Sequence, residues 1–441
     1  MGSGRGSIHP KKHLSFRALR DVLSQQIQKI PDTRQPSKTA FSLHDCYMSG
    51  FALFFLQDPS LLEFQRRFQE RLQRNNLSTV FGVKDIPADS QLRDVIDEHC
   101  YESLYEVFRE YFKRLQRAKH LKAYRFLGKY YLVTIDGTEY FSSEKIHCER
   151  CLRSESKKGI RYHHHILQAT VVHPGKRQVI PFAPEFIRNT DGSGSQDCEV
   201  NAGKRLIPKL KAAHRQLLMV VVGDSLYSKD PFIRLLRKHG MRFILGVKPN
   251  DHKSLMEDIE GLRRGGLLEH YEWKDKGGSR YLYEWVNEIP LNGYLKGEVV
   301  NYIEFRIVNA EGEQTYHNSW ATDIEVSKEN VKELVKGGRA RWKIENEGFN
   351  TLKNHAYHLE HNFGHGQKNL SEAFFVLNLL AFFVHQILEL TDGLYQSGRA
   401  GFSSRKEFWS AIRATFRLLL FDSWEQVLQR MNSPPQPAFQ G

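Results

Sequence analysis

Two stretches that read as β-strands each run into an aspartate. Tyr130-Tyr131-Leu132-Val133-Thr134-Ile135 leads to Asp136, and Leu217-Leu218-Met219-Val220-Val221-Val222-Gly223 leads to Asp224. Far downstream, Arg341-Trp342-Lys343-Ile344-Glu345 reads as helix, and its i, i+4 step turns Arg341 and Glu345 to the same side. Carboxylates delivered by separate elements are what two-metal phosphodiester chemistry requires, because the ions sit about 3.5–4 Å apart and must contact both the attacking and the leaving oxygen. A neighbouring cation can hold a phosphate. Asp136, Asp224 and Glu345 are therefore the candidate catalytic and metal-binding residues of a nuclease-like site, with Arg341 as a DNA-phosphate ligand. Glu347 is the rival third carboxylate, but on a regular helix it lies about 200° around from Glu345, so Glu345 is preferred.

With these residues in hand, the sequence resembles the insertion-sequence DDE transposases, in particular the subgroup whose last acidic residue lies in a Tyr-Arg-Glu-Lys signature. The matching stretches are Ile135-Asp136-Gly137-Thr138, Val222-Gly223-Asp224-Ser225 and Arg341-Trp342-Lys343-Ile344-Glu345 with Lys353, and the resemblance covers roughly residues 40–390. It departs from the family at two places: the signature tyrosine falls at Gly338, and Lys353 stands one residue later than the usual spacing from the glutamate. What the resemblance implies is a ribonuclease H-like core. Asp136, Asp224 and Glu345 would hold two Mg2+ ions, with Mn2+ able to substitute, and Arg341 and Lys353 would hold phosphates of a transposon end. It also implies DNA as partner, both transposon ends and target, a homodimer in the DNA complex, and a bacterial cytoplasmic protein associated with the nucleoid when bound to DNA. The cleavage pathway, through a hairpinned end or otherwise, stays open. Two alternatives stand beside transposition: a structure-specific nuclease on the same core, and a domesticated DNA-binding protein without catalysis.

Other residues could also do chemistry. Cys148 and Cys151 have the spacing of a zinc half-site, and His163, His164 and His165 follow. In a strand, His164 points opposite to its neighbours, so this set supplies three clear ligands at most, with Cys198 as a candidate fourth. A structural Zn2+ is weighed here against reduced structural cysteines in a hairpin, and the latter is preferred. The loop Phe363-Gly364-His365-Gly366-Gln367-Lys368 precedes a helix near Ser371, and its amides with Lys368 suit a DNA phosphate as well as they suit an ordinary capped connection. Glu139 and Glu144 read as structural acids near the site.

The positioning elements follow from periodicity. Residues 1–125 read as helical and basic, with apolar residues at helical spacing over Ser15–Ile30, Leu61–Leu77 and Leu104–Leu127. Arg66, Arg67, Arg71, Arg74, Arg109, Lys113, Arg114, Arg117, Lys119 and Lys122 lie among them, suited to a DNA backbone. From about 128, strands dominate: the Asp136 run, then a hairpin of His165–Val172 and Gln178–Phe182 turning at Pro174-Gly175. The Asp191–Ser195 loop, a helix over Asp197–His214, the Asp224 strand, a helix over Pro231–His239 and a strand over Arg242–Val247 complete the order expected of the core. The interval before Glu345 carries strands at Ser279–Val286, Gly297–Ile307 and Gln314–Thr322, with turns at Asn292-Gly293 and Glu311-Gly312. Its aromatics Tyr281, Tyr283, Trp285 and Trp320 read as sheet core before base-stacking platforms. Helices over Ser371–Leu390 and Ser404–Met431 and a tail at 432–437 close the chain.

The fold class expected is therefore α/β: a ribonuclease H-like core interrupted by a β-rich insertion, with helical N- and C-terminal regions. The boundaries read as 1–125 DNA-binding helices, 126–250 first core part, 251–325 insertion, 326–392 second core part with the Glu345 helix, and 393–441 helical C-terminal region and tail.

Bulk properties agree. Net charge of +13 and a pI near 9.3 favour a polyanionic partner, nucleic acid before membrane. Five cysteines in 441 residues do not make a disulfide framework, and the polar start Met1–Ser7 carries no signal peptide. The apolar stretch from Phe374 to Leu390 is interrupted by Asn378, His385, Gln386 and Glu389, which points to a buried helix and not a membrane span.

Overall fold

The computed structural model describes residues 10–69, 75–157, 159–189, 196–292 and 297–433. Arg71, Arg74, the Asp191–Ser195 loop, Gly293 of the predicted turn, the Met1–Ser7 start and the tail from Pro434 lie outside the described residues.

The N-terminal helices are α1 (Phe16–Ile27), α2 (Leu43–Phe55), α3 (Leu61–Gln69), α4 (Asp89–Glu98) and α5 (Tyr105–Arg117). Ser15 caps α1 through the Ala18 amide, and Ser42 caps α2 through that of Asp45, each satisfying one of the first-turn N–H groups a helix leaves unpaired. Part of the basic charge is spent internally. Arg114 donates to Glu110 and to the carbonyls of His13 and Ala18, Arg109 pairs with Glu106, and Arg67 pairs with the buried Asp58. Lys113, Arg117, Lys119 and Lys122 are exposed.

Among the described residues the sheet has twelve strands: β1 (Arg125–Phe126), β2 (Tyr130–Ser143), β3 (Leu152–Ser156), β4 (Gly159–Val172), β5 (Ile180–Pro181), β6 (Glu185–Ile187), β7 (Met219–Gly223), β8 (Arg242–Gly246), β9 (Glu269–Lys274), β10 (Arg280–Pro290), β11 (Val299–Val308) and β12 (Gln314–Thr322). Its order is β3-β4-β2-β7-β8-β12-β11-β10-β9, with β5 and β6 also on β4. β2, β7 and β8 run parallel, and the crossovers between them are made by α6 (Glu199–Ala213) and α7 (Asp230–Lys238). Met219–Gly223 is wholly buried, the continuous apolar run of a strand covered on both faces. This mixed α/β architecture, with helical ends, is consistent with a ribonuclease H-like core.

The strands after α8 (Lys253–Arg264) extend this same sheet, because β12 pairs with β8 through Trp320↔Gly246 and Thr322↔Ile244. Trp285, Trp320 and Tyr283 are buried in it, while Tyr281 stacks on Trp273 with centroids 4.2 Å apart. Helix α9 (Val331–Arg339) packs back onto the sheet, and a wide π-type turn at Ile344–Phe349 leads into α10 (Asn350–Asn354).

Helix α11 (Leu370–Thr391) is apolar on all sides because it is enclosed on all sides. Phe374 meets Phe54 of α2, Phe383 meets Tyr111 of α5, and Phe375 packs on Tyr140 of β2. It has the length and hydropathy of a membrane span, yet 89% of its apolar window is buried inside the protein. The polar groups that interrupt it find protein partners: Asn378 donates to the Tyr357 carbonyl, His385 meets the Tyr357 hydroxyl, Gln386 accepts from the Val179 amide and Glu389 pairs with Arg405. Helices α12 (Gly393–Ala400), α13 (Arg405–Leu418) and α14 (Trp424–Asn432) follow. The single helix expected over Ser404–Met431 is thus two. Asn76 breaks it by donating to the carbonyls of Phe416 and Leu419 and accepting from the Phe421 amide, and Ser423 starts the second by capping Gln426.

Candidate active site

Asp136 is not the last residue of its strand, as the sequence suggests: β2 continues to Ser143 as the partner of β4, with Asp136 opposite Gln168. What stops near Asp136 is the parallel pairing. β2 and β7 are in register from Tyr131↔Met219 to Thr134↔Val222. Asp136 and Asp224 each stand two residues beyond the last paired positions, and the charge of Asp224 acts on Arg341 and Glu199, both of which also act on Asp136. Asp224 lies just beyond β7, where its Oδ1 accepts the Leu226 amide at 2.9 Å and holds the turn into the crossover.

Arg341 joins the third acid to this pair. Its Nη1 lies 3.0 Å from Asp136 Oδ2 and 2.6 Å from Glu345 Oε1, so one guanidinium bridges two carboxylates that come from elements about 200 residues apart. Burial raises the Asp136 carboxyl; Arg341 opposes this, Glu345 and Glu199 reinforce it, and the net result is about 7. The Arg341 guanidinium is held above its ordinary value: burial lowers it, but Asp136, Glu345 and Asp224 more than compensate.

The sequence reading missed Glu199. It is the first residue of α6, where an acid reads simply as favourable to the helix dipole. Its carboxylate fills the space where a Cβ on residue 137 would stand, so a side chain there would push Glu199 and His165 aside, and it accepts the Tyr227 hydroxyl at 2.7 Å. Burial pushes Glu199 up, with Asp224 adding to the rise and the Tyr227 bond opposing it. His165, opposite Glu139 on β4, also faces this acid, with Nε2 3.8 Å from Glu199 Oε2.

The other expected residues divide. Glu347 turns away and meets Arg177 at 3.5 Å, and Glu139 pairs with Arg161. Lys353 pairs with Glu360 at 2.9 Å, and its charge acts on His165. The late spacing of Lys353 has a structural counterpart. At about 100° per residue, seven steps return a side chain to within about 20° of its starting face and eight overshoot by about 80°. The π-type turn at Ile344–Phe349 takes up one residue, so Lys353 stands where the seventh would on a regular helix. At Gly338, where the signature would have tyrosine, an added Cβ would lie 2.6 Å from Trp320 Nε1; α9 sits too close to the sheet for any side chain. The loop before α11 is not open to a phosphate, because Asp97 of α4 accepts the amides of Gln367, Lys368, Asn369 and Leu370 while Lys368 pairs with Glu98.

The donor set at the site is carboxylate oxygen, which suits hard divalent cations such as Mg2+ and Mn2+. Crowding of acids, with one arginine bridging two of them, is the environment such cations neutralise.

The mixed sheet, with β2, β7 and β8 parallel and helices at both ends of the chain, is consistent with the ribonuclease H-like class of core. Within it, residues 159–383, just over half of the chain, match the transposase DDE domain family, and the chain belongs to that family. The match includes Asp224, Arg341, Glu345 and Lys353 and begins after Asp136, which the ion pair with Arg341 ties to the cluster. Family membership makes this a transposase, with DNA as its partner and divalent metal ions as its cofactors. No curated protein matches the chain.

Proposed function

We propose that the chain cleaves and joins DNA strands at the ends of an insertion sequence, with Asp136, Asp224 and Glu345 as the ligands of two Mg2+ ions. The observation that supports this is the Arg341 bridge between Asp136 and Glu345, with the charge of Asp224 acting on the same guanidinium. When bound, the ions would supply Lewis-acid activation of water or a 3′-hydroxyl and stabilise the leaving 3′-oxygen. Arg341 neutralises the acids before loading and is then available to a phosphate of the transposon end, with Lys353 as the second phosphate ligand. Glu199, fixed by Tyr227, keeps the Asp224 side of the cluster acidic. The Lys113, Arg117, Lys119 and Lys122 surface contacts DNA backbone, within a helical DNA-binding region of residues 1–125. The core comprises 126–250 and 326–392, divided by an insertion at 251–325, and the cleavage complex is a homodimer on two ends.

The test is Mg2+-dependent nicking and strand transfer on end DNA by Asp136→Ala, Asp224→Ala and Glu345→Ala. Each is expected to lower cleavage at least ~1,000-fold while end binding stays within a few fold, since each removes a group needed only for the chemical step. Wild-type nicking by any one variant removes that residue from the site, and nicking without strand transfer by the wild type makes the chain a nuclease.

A further inference from the structure

We infer that Cys148, Cys151, His164 and His365 form a structural zinc site, separate from the acidic cluster. Three segments distant in sequence or direction meet here. Cys148 and Cys151 lie in the connection from β2 to β3, folded so that the Cys151 amide donates to the Cys148 carbonyl and the Cys148 amide to Cys151 Sγ. His164 comes from β4 and His365 from the loop between α10 and α11.

Five of the six edges among the four ligand atoms match a tetrahedron built around an ion. With Zn–S about 2.3 Å and Zn–N about 2.0–2.1 Å, tetrahedral edges come to about 3.8 Å for S–S, 3.6 Å for S–N and 3.3 Å for N–N. Cys148 Sγ and Cys151 Sγ are 3.8 Å apart. His164 Nε2 lies 3.6 and 3.5 Å from those sulfurs, His365 Nε2 lies 3.5 Å from Cys151 Sγ, and the two Nε2 atoms are 3.0 Å apart. All four ligand atoms fall within 4.8 Å of one another. A disulfide would need the sulfurs at about 2.05 Å, and both cysteines are free.

Hydrogen bonding assigns the lone pairs. His365 Nδ1 lies 2.7 Å from the Gly366 carbonyl, which can only accept, so Nδ1 carries the ring proton and Nε2 presents a lone pair into the cluster. Gly366 adopts φ +66°, the left-handed backbone that turns the chain immediately after this ligand. On the other side, a bulge between Glu139 and Phe141 shifts the pairing so that Phe141 stands opposite His164, and Tyr140 stacks on the His164 ring. Cys151, His164 and His365 are buried, leaving no room for a substrate, so four protein ligands close the site and make it structural.

This ligand set corrects the sequence reading. His163 and His165 are not ligands: strand alternation turns His165 to Glu199, and His164, which points opposite to both, is the one that faces the cysteines. Cys198 is exposed and outside the cluster, and the fourth ligand comes from 201 residues beyond His164. Bound zinc would lock the β2–β3 connection and β4 to the segment that follows Lys353, fixing the acid-bearing strand against the return from the Glu345 helix.

The experiment is metal analysis of the full-length protein, prepared in zinc-supplemented medium and freed of loose metal. One zinc per chain is expected. Cys148→Ser, Cys151→Ser, His164→Gln and His365→Gln should lose it, whereas Cys198→Ser, His163→Gln and Asp136→Ala should retain it. Because ligand variants can fail to fold, the wild-type protein is also to be loaded with Co2+, which should show the absorption of a tetrahedral dithiolate site. A trace of zinc with both thiols titratable, a Cys148–Cys151 disulfide, octahedral cobalt, zinc retained by His365→Gln, or zinc lost by Asp136→Ala would each overturn the assignment.

Discussion

Asp136 is where chemistry and stability pull in opposite directions. Its carboxyl titrates near 3.8 in an unfolded chain and at about 7 in the fold, chiefly through burial. Between these values the folded protein holds a proton that the unfolded chain has released, so this group stabilises the fold at acid pH and loses that contribution as pH rises through about 7. Without added Mg2+, Asp136→Asn should therefore raise stability by about 1–2 kcal/mol at pH 8 and by little at pH 4, measured by denaturant unfolding. An unchanged pH slope in the variant would assign the titration to another group. The acids flanking apolar runs were visible in the sequence, whereas Glu199 was not, because nothing in its local spacing separates an acid at a helix start from one that enters a site.

At the scale of elements, close packing decides what the signature can contain. Gly337 and Gly338 bring α9 against Phe126, Ile244 and Trp320, with no space for a side chain. Gly338→Ala should cost about 1–3 kcal/mol by overpacking, read from the unfolding midpoint, and no loss would mean that α9 can move off the sheet. The π-type turn is the second such case: linear counting puts Lys353 out of step, and only the winding of Ile344–Phe349 corrects it. Strand existence along the core was legible from runs of β-branched residues. The end of β2 was not, since a polar residue inside a strand looks like a terminus until its partner strand is known.

At the scale of the whole molecule, Glu372 of α11 joins three segments far apart in sequence. Its buried carboxylate accepts from Tyr101 at 2.6 Å, Arg150 at 2.6 Å and Arg188 at 2.7 and 2.8 Å, tying the N-terminal helical region, the cysteine connection and the residue that follows β6 to one point. Removing it would leave two arginines facing a site without their counter-charge. Glu372→Ala is expected to destabilise by about 3–5 kcal/mol, seen as a lowered midpoint for helices and sheet together. A loss confined to below about 1 kcal/mol would mean that solvent replaces the carboxylate.

By itself the sequence determined what is local: the apolar runs that become strands, the helical step joining Arg341 to Glu345, the Cys148–Cys151 spacing and the positive charge. These are legible because side-chain periodicity and i, i+4 neighbours depend on a few adjacent residues. Tertiary structure alone decided which distant groups meet: Glu199 with Gly137, Asp97 with the amides before α11, His365 with His164. Such meetings depend on sheet register and on how closely helices approach, and neither leaves a trace in the spacing of residues along the chain.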